Sequence, residues 1–256
     1  MNTPIIISNT KTYIKTLKDF YKLQNEIWIN LEKENYKYYV AVPSSLISTI
    51  KNEEYRAFEV GAQNYTGIEN GAHTGSDTLV NILEAGARFI ILGHSEVRAA
   101  GEDSFTISQK VSTSLSSNIK TVLCVGEKKR NILGDKYESD FATEIIKMLL
   151  ESLNSVNKND VHNLVIAYEP VWAIGASIPA TPSIVMESVI IIRRELARKF
   201  GIDAAKKIKI IYGGSVDETN AVEYIKQATC DGVLVGRASA DAKVFAKLIN
   251  NLYANK

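Results

Sequence analysis

The stretch NLVIAYEPVWAIGASIPATPSIVMESVIIIRREL, residues 163–196, sets three kinds of sequence end to end. Residues 163–168 form an apolar run of strand length. A segment of small residues and proline follows, and then Ile184, Val185, Ser188, Ile191, Ile192 and Leu196 recur at helical spacing. A strand that lacks polar alternation is buried on both faces, which a parallel sheet covered by helices provides. One carboxylate, Glu169, breaks the pattern where the strand should stop, and Pro170 follows it at once.

The same unit recurs along the chain. Apolar runs of strand length occupy residues 4–8 (PIIIS), 38–42 (YYVAV), 57–63 (AFEVGAQ), 88–93 (RFIILG), 121–125 (TVLCV), 163–168 (NLVIAY), 209–212 (KIIY) and 232–236 (GVLVG). Between them lie helical patterns such as Leu17, Phe20, Leu23, Ile27 and Leu31. Strands alternating with helices imply parallel pairing, because a parallel neighbour is reached only by a crossover. An open doubly wound sheet is one solution. Eight repeats in 256 residues, with no Pro/Gly/Ser-rich linker, favour the other: a single (β/α)8 barrel, one domain over residues 1–256, with eight parallel strands surrounded by helices.

Composition narrows the function. With 45% hydrophobic and 23% charged residues the chain has ample core material, and disorder is excluded. The net charge is +1 and no long Lys/Arg block occurs, so neither nucleic acid nor an anionic membrane is an expected partner, and any anionic ligand must be held by local groups. Cys124 and Cys230 lie in or beside apolar runs and read as buried reduced thiols, which points to the cytoplasm. The N-terminus does not read as a signal peptide, and no apolar run approaches membrane-spanning length.

Barrel enzymes carry their chemistry at the rim where strands end. Out-of-place polar residues and glycines gather there: Asn9 and Lys11 after the first run, His94, Ser95 and Glu96 after the fourth, Glu169 after the sixth, Gly213, Gly214 and Ser215 after the seventh, Gly236 at the end of the eighth. Glycine-rich turns after the last two strands let several backbone N–H groups approach one phosphate. His94 follows a strand and a glycine and opens a short helix, whose positive end disfavours imidazolium, so a neutral ring is expected to donate to a substrate oxygen. Lys11 supplies a cation for charge developing on a carbonyl oxygen. Pro170 keeps Glu169 out of helical geometry, and Val171, Trp172 and Ile174 give the following loop an apolar face that can cover the carboxylate and strengthen it as a base. A base, a neutral electrophile, a cation and a phosphate grip suit proton abstraction beside the carbonyl of a small phosphorylated sugar.

The motifs SNTK (8–11), ILGHSE (91–96), CVGE (124–127), AYEPVWAIG (167–175), IIYGGSV (210–216) and DGVLVG (231–236) resemble, in order and across the whole chain, those of the triosephosphate isomerase family. The resemblance implies an aldose–ketose isomerase of glycolysis and gluconeogenesis, working through an enediolate without metal or organic cofactor. It implies Glu169 as base, His94 as electrophile, Lys11 and Asn9 at the substrate, and Glu96 beside the lysine. The phosphate would meet N–H groups of Gly175, Ser215 and Gly236, with Arg237 next to it. Ile174 and Leu234 would clamp Glu169, while Tyr212 and Ser215 latch a lid that runs from Pro170 through Trp172, Ser177, Ile178 and Pro179 to Ala180. The loop Tyr65 to Ser76 would enter a second subunit and bring Thr74 to its Asn9 and Lys11, which implies a homodimer.

The sequence departs from that family in four places. Ser177, Ile178 and Pro179 stand where the lid usually has glycine, lysine and threonine, and Pro179 fixes φ in the hinge, so altered closure is expected. Arg237 stands where a second phosphate-binding glycine is usual: either its N–H keeps the contact, or its guanidinium adds a charge near the ligand. Thr10 replaces a tryptophan and Val97 an arginine, changes of packing and local charge. Competing readings are an isomerase of a four-carbon ketose phosphate, a barrel that has lost activity and serves as a binding protein, and a phosphate-binding barrel of another pathway.

Overall fold

A computed structural model describes residues 3–33, 35–50, 57–67, 70–130, 140–176 and 179–255. Eight strands close into a barrel in sequence order, each parallel to its neighbours. They are β1 (Ile5–Asn9), β2 (Tyr38–Val42), β3 (Phe58–Ala62), β4 (Phe89–Leu92), β5 (Lys120–Val125), β6 (Leu164–Tyr168), β7 (Lys209–Tyr212) and β8 (Gly232–Val235). Closure is made by β8 against β1, with Ile7 opposite Leu234. The connecting helices are α1 (Leu17–Asn30), α2 (Ser44–Ile47), α3 (Leu79–Glu84), α4 (Ser95–Ala99), α5 (Ser104–Ser116), α6 (Asp140–Ser152), α7 (Pro182–Phe200), α8 (Ile202–Lys207), α9 (Ala221–Lys226) and α10 (Ala242–Ala254).

The two-faced burial of the strands explains their unbroken apolar runs. Successive side chains point to opposite faces, so Ile6, Ile90, Leu123, Ile166, Ile210 and Val233 pack outward against the helices. Their neighbours Ile7, Ile91, Cys124, Ala167, Ile211 and Leu234 fill the barrel interior. Interior room is tight. A Cβ on Gly61 of β3 would stand 2.3 Å from the ring of Phe89, so the glycine is what admits that ring to the interior.

The helices bury the faces that their spacing announces. Helix α1 turns Phe20, Leu23 and Ile27 inward, and Thr16 caps it by accepting from the Asp19 N–H. Helix α7 begins at Pro182, which fits a first-turn position where no N–H is needed, and buries Val185, Ser188, Ile192 and Leu196.

One boundary differs in a way that matters. The first strand begins at Ile5, because Pro4 has no N–H for the ladder, and its last residue is Asn9. Asn9 is therefore a strand residue rather than part of the loop that follows, and the sheet fixes its backbone.

Candidate active site

Parallel strands deliver their C-terminal ends to one rim, and a cavity of about 710 Å³ opens there. Asn9, Lys11, His94, Glu96, Glu169, Ile174, Gly175, Pro179, Ser215, Leu234, Gly236 and Arg237 all line it.

Glu169 directly follows β6, and its N–H donates to Val125 O at 2.8 Å, so the β5–β6 pairing fixes its backbone. The side chain is 3% exposed. Two glycines make room for it: a Cβ on Gly126 would lie 2.1 Å from Glu169 O, and one on Gly213 would lie 2.7 Å from Glu169 Cγ. Burial raises the carboxyl above its ordinary range, while His94, the Ser95 N–H, Cys124 and Lys11 pull partly the other way. Oε2 has no hydrogen-bond partner among the described residues.

His94 lies 3.5 Å from Glu169, Nε2 to Oε1. It also caps α4, with Nδ1 accepting the Glu96 N–H at 3.2 Å. With Nδ1 accepting, Nε2 is the ring nitrogen left to donate, on the Glu169 side. One nitrogen of the ring thus caps the helix while the other faces Glu169.

Lys11 occupies left-handed backbone space at φ 45°, which is costly for a lysine. Its N–H donates to Asn9 Oδ1 at 3.1 Å, and Gln63 Nε2 donates to its carbonyl at 3.0 Å. These bonds hold the turn so that Nζ reaches Glu96 Oε1 at 2.6 Å. Burial would raise the Glu96 carboxyl, but the bond to Lys11 and its charge outweigh burial and hold the group below its usual range.

Gly213, Gly214, Ser215 and Gly236, after β7 and β8, also line the cavity. The loop after β6, expected from the sequence to act as a lid, lies against them. Ser215 Oγ donates to Ala176 O at 3.4 Å, and Tyr224 Oη donates to Ala180 O at 2.8 Å. Tyr212 Oη is buried and makes no hydrogen bond among the described residues, although Ala180 and Tyr224 lie beside it. Ser177 and Ile178 fall outside the described residues. Thr74 is exposed and does not line the chain's own cavity.

The sequence reading passed over the lid's anchor. Glu127, two residues beyond β5, is fully buried, and its Oε1 accepts from Trp172 Nε1 at 2.8 Å and from Tyr168 Oη at 3.0 Å. Arg130 stands 4.0 Å away and stacks on Phe141. Burial raises the Glu127 carboxyl, with the Trp172 and Tyr168 bonds opposing. Arg98 was passed over too: it bonds Gly93 O, Ser104 Oγ, Cys124 O and Ser152 Oγ, tying α4 to β5 behind Glu169. The available signal was a carboxylate directly after an apolar run, in TVLCVGE, the same signature that exposed Glu169.

The family model described as triosephosphate isomerase matches residues 4–252. Similar proteins named triosephosphate isomerase include those of Caldanaerobacter subterraneus subsp. tengcongensis, 36% identical over 253 residues, and Alkaliphilus oremlandii, 33% identical over 252; each match covers 98% of this chain and all of the relative. That of Protochlamydia amoebophila is 34% identical over 251 residues, covering 97% of this chain and 93% of the relative.

Proposed function

The chain belongs to the triosephosphate isomerase family and is an isomerase interconverting dihydroxyacetone phosphate and D-glyceraldehyde 3-phosphate, and we propose that Glu169, His94 and Lys11 carry its chemistry, with Asn9 and Glu96 placing the lysine. The observation that carries this reading is a buried carboxylate, one oxygen of which has no hydrogen-bond partner among the described residues, 3.5 Å from the Nε2 of His94.

Glu169 removes a proton from the carbon beside the carbonyl, and the electron pair moves onto the carbonyl oxygen. The Nε2–H of His94 donates to that oxygen, and the Lys11 ammonium offsets its charge. His94 then moves a proton from the hydroxyl oxygen of the resulting enediolate to the former carbonyl oxygen, and the carboxyl just formed protonates the former carbonyl carbon, which restores the carboxylate and leaves the carbonyl on the adjacent carbon. Water is kept from the site by the lid, whose apolar residues Val171, Trp172 and Ile174 shield the carboxylate and sustain its raised proton affinity. The phosphate lies against the N–H groups of Gly175, Ser215 and Gly236, where backbone can approach closely because glycine carries no Cβ. Ile174 and Leu234 enclose the carboxylate when it is over the substrate, and Tyr212 and Ser215 hold the lid across its far end.

A homodimer through the loop Tyr65 to Ser76 belongs to the same proposal, with Thr74 approaching the partner's Asn9 and Lys11. So does a cytoplasmic location, which the two free buried thiols support.

The test is a coupled assay on D-glyceraldehyde 3-phosphate with a four-carbon ketose phosphate in parallel and Glu169→Asp as control. Withdrawing the carboxylate by one methylene costs on the order of 10²-fold in kcat at nearly constant KM, because a shift of about 1 Å in the base breaks the reactive geometry. A variant as fast as the parent removes Glu169 from its role.

A further inference from the structure

Arg237 begins the turn Arg237–Ala240 immediately after Gly236, and its side chain reaches from there to the loop after β6. Nη2 stands 3.3 Å from where a Cβ on Gly175 would be, so the guanidinium crosses from the β8 rim to the backbone of the lid. Gly175 itself sits at φ 67°, where a side chain would be strained and would also press on the guanidinium.

The other charges around the cavity are engaged. Lys11 is held by Glu96 at 2.6 Å. Asp241 accepts from the N–H groups of Lys243 and Val244, and Asp217 from Thr219. Arg237 has no hydrogen bond or ion pair among the described residues, which leaves its guanidinium donors uncommitted to them beside Ser215, Gly236 and Gly175, the residues assigned above to phosphate. A guanidinium offers planar paired donors that match two oxygens of a phosphate dianion, which neither a backbone N–H nor an ammonium does.

We propose that the Arg237 guanidinium is a phosphate ligand of this enzyme, binding the outer oxygens of the substrate dianion while it rests on Gly175, so that one side chain reads the phosphate and fastens the lid over it. The inference rests on the isomerase reading of the site and settles the alternative left open by the sequence in favour of the side chain.

The experiment compares the parent with Arg237→Gly, Arg237→Gln and Arg237→Lys. KM for D-glyceraldehyde 3-phosphate rises about tenfold in the glycine and glutamine variants, with a smaller change in kcat, and the lysine variant falls between. Affinity for inorganic phosphate, read by calorimetry, weakens in parallel, and free guanidinium ion at non-denaturing concentration restores part of the loss in Arg237→Gly. Unchanged KM and unchanged phosphate affinity in both the glycine and glutamine variants overturn the proposal, as does a loss that neither lysine nor guanidinium ion recovers. Calorimetry also keeps the two readings apart, since a parent that binds phosphate through Arg237 but turns over no triose phosphate would sink the isomerase assignment and leave the arginine's role standing.

Discussion

Glu169 concentrates the cost and the use of the site in one side chain. Burial raises its carboxyl in the folded chain, so the neutral form is favoured there. The stability this gives is complete below the pKa of the unfolded chain, about 4.3 for glutamate, and is lost as pH rises through the folded value. At neutral pH the ionised group is a burden that Glu169→Gln removes. The variant is expected to melt above the parent at pH 7, with the advantage shrinking toward pH 4, while turnover falls about 10²–10⁴-fold as the base is lost. Thermal scans across that range check the first part; a variant that melts below the parent throughout would refute it. In the parent, kcat/KM should fall on the acid side as the same carboxyl protonates. Gly213 makes a second residue-scale test. A Cβ there would stand 2.7 Å from Glu169 Cγ, so Gly213→Ala should displace the base and lower kcat on the order of 10²-fold, with the circular dichroism spectrum unchanged.

Among the elements, the lid is built between two fixed points. At its start Trp172 donates to Glu127, which Tyr168 and Arg130 also hold. Trp172→Phe keeps the apolar face but leaves a fully buried carboxylate one donor short, at a cost of about 1–3 kcal/mol. A urea titration reads that cost, and an unchanged midpoint would mean that Glu127 finds another donor. At its far end Ala180 O is held by Tyr224, next to a proline that fixes φ. Pro179→Thr returns freedom and an N–H to this end. If closure limits turnover, the dependence of kcat on solvent viscosity should change in that variant, and an unchanged slope would remove Pro179 from the control of closure. The lid's sequence was legible as an apolar loop after a strand. Its anchors were not, because Glu127 lies 45 residues before Trp172 and Tyr224 lies 44 after Ala180, and they meet it only when β5, β6 and α9 are in place.

For the whole molecule the proposed homodimer predicts a solution mass twice the 28.3 kDa of the chain. Thr74 is exposed on the loop that would cross to the partner. Thr74→Glu should weaken association by forcing a larger, charged side chain into the contact with the partner's Lys11, whose ammonium is already paired with a carboxylate, so sedimentation equilibrium should show a rise in the dissociation constant accompanied by loss of turnover. A monomeric parent with full activity would rule out the shared site. The barrel was readable from the sequence because strands buried on both faces leave unbroken apolar runs, and helices between them permit only parallel pairing. Glu169, His94 and Lys11 drew notice because polar groups stand out near where such runs end, and the fold brings the three to one cavity. Tertiary structure decided what required distant segments to meet: that Gly126 and Gly213 clear space for Glu169, that the Nδ1 of His94 is spent on the Glu96 N–H, that Glu127 anchors the lid, and that Arg237 reaches Gly175. Local sequence encodes periodicity and the exceptions to it. Distances between side chains on different strands exist only once the barrel has closed.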